Sequence, residues 1–215
     1  MARKVDGRLQ SQTFVHIIEK SSQDTSAVVR ILEHTLRTLK VEHPEIKAAF
    51  LRQDNAGCYH NSALLATCNA MKFKTGVRVR RVDFSDPQGG KGACDRKAAS
   101  IKAHVRRYIN EGHDVQNAKD FKDAMLCNGG LNGVRVALVD AGTEGKCVLP
   151  QVKLAGERFL NNFQFNEQGV TVWRAFQVGQ GKLINQSQIE GAYCMHLPHN
   201  LAVQSKQLIL LFLSK

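Results

Sequence analysis

Long hydrophobic runs are missing from this sequence. The longest, Leu208 to Leu213, is far short of the roughly 20 residues that a membrane helix needs. The first dozen residues, Met1 to Gln12, are polar and lack the apolar centre of a signal peptide. The cysteines Cys58, Cys68, Cys94, Cys127, Cys147 and Cys194 lie scattered without a CxxC pair, so free thiols in a reducing compartment fit better than a disulfide framework. Cys58 with His60, and Cys194 with His196 and His199, are too few and too irregular for a structural zinc site. No G-x-S-x-G elbow accompanies Ser62, Ser85 and His60, which argues against acyl transfer. Internal repeats and low-complexity tracts are absent too. These absences point to an intracellular protein, nuclear or cytoplasmic, with no membrane partner.

What is present is material for a core and an uneven charge. Of 215 residues, 43% are hydrophobic and 23% charged, which excludes a wholly disordered chain. The net charge is +11. Eleven basic residues against three acidic ones fall between Lys72 and Arg107, a net of +8, and the rest of the chain holds only +3. A field this concentrated suits a polyanion, because neutralising phosphates releases condensed counterions. A solvated basic face is the other reading of the same residues.

Along the chain, Phe14-Val15-His16-Ile17-Ile18 predicts a strand, and Ser21 to Thr25 offers caps for a helix. Val28, Val29, Leu32, Leu36 and Leu39 recur at helical spacing until His43-Pro44 stops the pattern. Ala48 to Leu51 predicts a second strand ending at the polar turn Arg52 to Gly57, and Ser62 to Met71 a second helix. A third strand, Gly76 to Phe84, alternates Val77, Val79, then Val82, Phe84. That slip at Arg80-Arg81 is what a bulge produces. After the turn-rich loop Ser85 to Gly92, a helix opens at Asp95 and runs to about Asn110, with Ala98, Ile101, Val105 and Tyr108 on its apolar stripe. A short helix is expected within Val115 to Met125, and the glycine-rich stretch Cys127 to Gly133 marks a boundary. Beyond it, Val134 to Val139 reads as a strand, and Phe163 to Phe165 and Val170 to Trp173 as a hairpin closed by Asn166 to Gly169. Trp173 and Phe176 read as core rather than as base-stacking residues.

This is an α/β succession, in which strand ends are the usual place for ligand groups. Asp54 lies at a strand end, and Asp95 follows 41 residues later at a helix start. Hard cations such as Mg²⁺ or Mn²⁺ favour a few carboxylates plus substrate phosphates. The local alternatives are a turn aspartate for Asp54 and a helix cap for Asp95. Lys91 in Gly89-Gly90-Lys91-Gly92 lacks the spacing of a Walker loop. Arg96, Lys97, Lys102 and Arg106 would form either a phosphate-tracking face or a solvated side of the helix that Asp95 opens.

The segments Leu51-Arg52-Gln53-Asp54-Asn55-Ala56-Gly57-Cys58-Tyr59-His60-Asn61 and Asp83-Phe84-Ser85-Asp86-Pro87-Gln88-Gly89-Gly90-Lys91-Gly92-Ala93-Cys94-Asp95-Arg96 resemble the ribonuclease H-like core of transposase-derived proteins of animal genomes. The resemblance runs over about Phe14 to Met125. It implies a mixed sheet with flanking helices and a metal-dependent DNA strand-transfer site of three acidic ligands. Asp54 matches the second of these ligands and Asp95 the third. It also implies a first aspartate on a strand upstream of Phe14, where only thirteen residues stand. Asp6 sits in a polar turn, and Asp24 is better explained as a helix cap. The expected organisation is therefore a ribonuclease H-like core over residues 1–126, incomplete at its N-terminus, a small β-rich extension over 127–185, and a tail over 186–215 with no assigned role. The expected partner is DNA, held through its backbone by Arg78, Arg80, Arg81, Lys91, Arg96, Lys97, Lys102 and Arg106, either with cleavage or as a binding module without it, the remaining alternative being a decayed transposon remnant.

Overall fold

The computed structural model describes residues 2–5, 8–18, 24–85, 92–139, 149–154, 156–190 and 207–210. Asp6, Lys91, Cys147 and Cys194 lie outside them. In chain order the strands and helices are β1 (Ala2–Val5), β2 (Arg8–Ser11), β3 (Thr13–Ile18), α1 (Thr25–Glu42), β4 (Ala48–Gln53), α2 (Ser62–Thr75), β5 (Arg78–Phe84) and α3 (Ala93–Asn110). These are followed by α4 (Ala118–Leu126), β6 (Val134–Val139), β7 (Asn162–Phe165), β8 (Gly169–Trp173), β9 (Lys182–Asn185), α5 (Gln186–Glu190) and β10 (Gln207–Leu210). The fold class is mixed α/β. No described helix is long and apolar enough to cross a membrane.

The chain forms two compact units that interleave along the sequence. One holds residues 1–23, 90–145 and 199–212. In it β1 pairs antiparallel with β2, while β3 pairs in parallel with β6 and antiparallel with β10. All six residues of β3 are buried, as suits a middle strand. Val15 and Ile17 meet Ile101 and Val105 of α3 and Ala118, Ala124 and Met125 of α4 in one apolar cluster, with Tyr108 packed against it. The stripe read from α3 is therefore its inner face.

The second unit holds residues 24–89, 146–198 and 213–215. Its sheet runs β4-β5-β7-β8-β9, with β4 parallel to β5 and every other pair antiparallel. Asp24 caps α1 by accepting the Ala27 N–H at 2.9 Å, and the helix ends at His43, just before Pro44. Asn61 caps α2 by accepting from Leu64 N–H at 2.9 Å, and Gly76 closes it at φ +71°, a left-handed conformation that glycine adopts without strain.

The slip in β5 is a real bulge. Val79 pairs with Ala49 and Arg81 with Phe50, so Arg80 has no partner across the ladder. The extra residue turns Val79, Val82 and Phe84 to the buried side and leaves Arg81 and Asp83 on the other. β7 and β8 form the expected hairpin, and β7 lies against β5.

Candidate functional site

Asp54 follows the last residue of β4, where the chain leaves the sheet in a turn held by its own polar groups. Asp54 Oδ1 accepts the Ala56 N–H at 2.9 Å, the local bond expected of an aspartate in a turn. Its other carboxylate oxygen has no partner among the described residues, and the residue is exposed. The Ala56 carbonyl accepts from the N–H groups of both Tyr59 and His60 at 2.9 Å. Asn55 Oδ1 bonds His60 Nδ1. Ser85, just past β5, donates its N–H and its hydroxyl to the Gln53 carbonyl at 3.0 and 3.2 Å, fastening the two parallel strand ends together. The position of Asp54 is thus set by backbone on both sides.

Behind this turn the buried polar groups are paired in part, and His60 Nε2 has no hydrogen-bond partner among the described residues. The His60 ring stacks on Phe84 with centroids 4.0 Å apart and meets the edge of Phe163 at 5.9 Å. Burial holds its pKa below the ordinary histidine range, opposed by the Glu157 and Leu160 carbonyls and the Glu157 carboxylate. The Ser62 hydroxyl donates to the Glu157 carboxylate, not to His60, and accepts the Leu154 N–H at 2.8 Å. That arrangement ties α2 to the segment before β7 and leaves Ser62 without a bond to His60. Burial, and secondarily the Asp54 charge, push the Cys58 thiol up, and the fully buried Cys68 is pushed up to about 12. Both are therefore protonated at neutral pH, the unreactive form of the thiol.

Asp95 lies in the other unit, in the first turn of α3. The helix begins at Ala93, two residues earlier than the periodicity suggests, because Asp95 Oδ2 accepts the Gly92 N–H at 2.8 Å and draws the preceding residues into the helix start. Its other oxygen has no partner among the described residues. Each carboxylate is thus exposed with one oxygen unpartnered among the described residues, in its own unit. Among the described residues no group of three or more His, Cys, Asp or Glu side chains is placed to hold a metal ion.

The basic residues fall into two sets. On β5, Arg80 is exposed at the bulge, Arg78 is half-buried, and Arg81 is committed. Its Nε bonds Asp83 at 2.9 Å, and its guanidinium lies 4.0 Å from the Phe176 ring centroid and 5.7 Å from that of Phe50. On α3, Arg96, Lys102, Arg106 and Arg107 are exposed and Lys97 half-buried. Lys102, Arg106 and Arg107 form no ion pair among the described residues, and Asp95 is the helix's only acid.

The link from Ser62 to Glu157 and Leu154, and the seat of Arg81 between Phe50 and Phe176, have no short-range signal, since their partners stand some 30 to 95 positions apart in the chain. A family model described as a domain of unknown function (DUF8701) matches residues 1–146. No curated protein matches the chain, and no solved structure matches it.

Proposed function

On the premise that the chain belongs to the DUF8701 family, whose description names no activity, we propose that it is a nucleic-acid-binding domain descended from a ribonuclease H-like DNA transposase. The observation that carries the reading is α3: an 18-residue helix with five basic residues, a single acid, and an outer side that presents Arg96, Lys102, Arg106 and Arg107 to solvent. Such a row follows a phosphate backbone without reading its sequence. The order α1-β4-α2-β5-α3, with β4 parallel to β5 and Asp54 beyond the end of β4, supports the ribonuclease H-like descent.

A second reading, retained metal-dependent strand cleavage, is favoured by the two exposed carboxylates with an oxygen to spare. Asp54 in one unit and, separately, Asp95 in the other would each be a carboxylate ligand for Mg²⁺ or Mn²⁺, which would supply activation of water and stabilisation of the leaving oxygen. One experiment addresses both. Duplex DNA is titrated with the full chain over a range of salt, and supercoiled DNA is incubated with it and Mn²⁺. Affinity that falls steeply with ionic strength supports the binding domain, and affinity indifferent to salt overturns it. Nicking that needs Mn²⁺ and is lost in both Asp54→Asn and Asp95→Asn supports cleavage. Those variants keep an oxygen for the Ala56 and Gly92 N–H bonds, so a loss reports on charge rather than on folding. Nicking unchanged in a variant removes that variant's carboxylate from the site.

A further inference from the structure

The five-stranded sheet has one apolar face and one that is neither core nor plain solvent surface. Register sets Leu51, Val82, Phe163 and Val172 in a buried row across β4, β5, β7 and β8. On the opposite face two rows run across the strands. The first is Phe50, Arg81, Gln164, Thr171 and Leu183, and the second is Arg52, Asp83, Asn162 and Trp173. Phe50 is 36% exposed on this face, and Arg52 and Gln164 are exposed beside it. The chain after β8 brings Phe176 back over Arg81, edge-on to Trp173 at 5.4 Å.

The chemistry of the face selects its occupant. Planar groups dominate it: Phe50 and Phe176 flank the Arg81 guanidinium, and the open parts of the exposed Phe50 and the half-buried Phe176 are surfaces on which a flat ring can stack. Asp83 accepts from Arg81 at 2.9 Å and from Asn162 at 2.7 Å, so its charge is answered within the face. Arg52 is left as a cation toward solvent, and Gln164 offers an amide that both donates and accepts. Within these two rows, a partner bound through aliphatic packing would find only Leu183 for it. Unpaired bases match all three features, since every base has a stacking face, an edge for an amide and a phosphate for an arginine.

We propose that this face is a stacking platform for single-stranded nucleic acid, with Phe50 and Phe176 under successive bases, Gln164 at a base edge and Arg52 on the backbone. The proposal rests on the nucleic-acid reading above for the class of partner and adds to it the site and the single-stranded form.

Trp173, the only tryptophan in the chain, lies on the same face and reports on it. The test titrates the full chain with a thymidine oligonucleotide and, separately, with a duplex, following tryptophan emission and fluorescence anisotropy of labelled DNA. The oligonucleotide quenches the emission. Phe50→Ala and Phe176→Ala each weaken single-strand binding by about tenfold, Phe50→Tyr keeps it, and duplex binding through α3 is the same in all three. Retention in Phe50→Tyr together with an unshifted duplex curve separates lost stacking from lost folding. Single-strand affinity unchanged in both alanine variants, with duplex binding intact, overturns the platform alone. Emission that shifts with protein concentration in the absence of DNA means that a second copy covers the face, and overturns it as well. Binding of neither DNA form at low salt removes the nucleic-acid reading, and the platform with it.

Discussion

Stacked on Phe84 and largely shielded from water, the His60 imidazole is held neutral in the folded chain, because burial disfavours its charged form. Unfolding exposes it, and the unfolded state then binds a proton more readily than the folded one does. Stability must therefore fall as pH drops below about 6.5, the value of an exposed histidine, and level off once pH passes the folded-state value. The Glu157 carboxylate faces the ring and narrows that window without reversing the sign. Denaturant midpoints measured from pH 8 to pH 5 are expected to show a decline that is shallower in His60→Phe, which keeps an aromatic ring against Phe84 and removes the titration. A decline of the same depth in the variant assigns the pH dependence to other groups. At this scale the sequence was a mixed guide. Asp24 as a cap and Asp54 as a turn residue follow from short side chains meeting nearby N–H groups, a local matter. His60, in contrast, has no role that the sequence assigns, and its place under Phe84 and Phe163 is set by contacts of the sheet.

Among the elements, the hairpin of β7 and β8 and the strand β9 depend on one close approach. Gly169 opens β8 at φ +145°, and a Cβ there would stand 2.0 Å from the Ile184 carbonyl oxygen and 2.9 Å from the Gln186 amide nitrogen. Neither backbone atom can yield without parting β8 from β9, which pair from Gly169 with Asn185 onward. Gly169→Ala is expected to destabilise the chain by about 3 kcal/mol, from strain at a conformation that L-residues avoid together with the steric clash. Urea unfolding is the measurement, and a loss below about 1 kcal/mol would mean that β9 is not held there. The elements themselves were largely legible. Alternation in β5 located even the bulge at Arg80, since one extra residue between two buried valines has a single explanation in a half-buried strand. Which strands pair was not legible. β3 takes β6 as a parallel neighbour, and β5 takes β7 as an antiparallel one. Each such pair joins segments separated by long stretches of chain, and nothing in either segment's composition names its partner.

For the molecule as a whole, the +11 charge matters less than where it stands. A basic residue contributes to phosphate binding only if its charge reaches solvent unanswered, and the structure divides the candidates on that ground. Arg81 has given its charge to Asp83 and its plane to Phe176, and Arg78 and Lys97 are half-buried. Composition could not make this division, because it counts Arg81 and Arg106 alike. Lys102 and Arg106, one helical turn apart on α3, are exposed and form no ion pair among the described residues. Replacing both by glutamine removes two cations and leaves the buried stripe of Ile101 and Val105 untouched, so thermal unfolding should stay within about 0.5 kcal/mol of the parent. If α3 tracks a duplex, the plot of log affinity against log salt loses about 0.9 per contact, so the slope becomes shallower by about 2, and the loss of affinity is uniform across DNA sequences. Backbone contacts carry no base information, so a loss confined to some sequences would mean that these side chains read base edges instead. An unchanged slope would return α3 to a solvated basic face and move the DNA contact elsewhere on the chain.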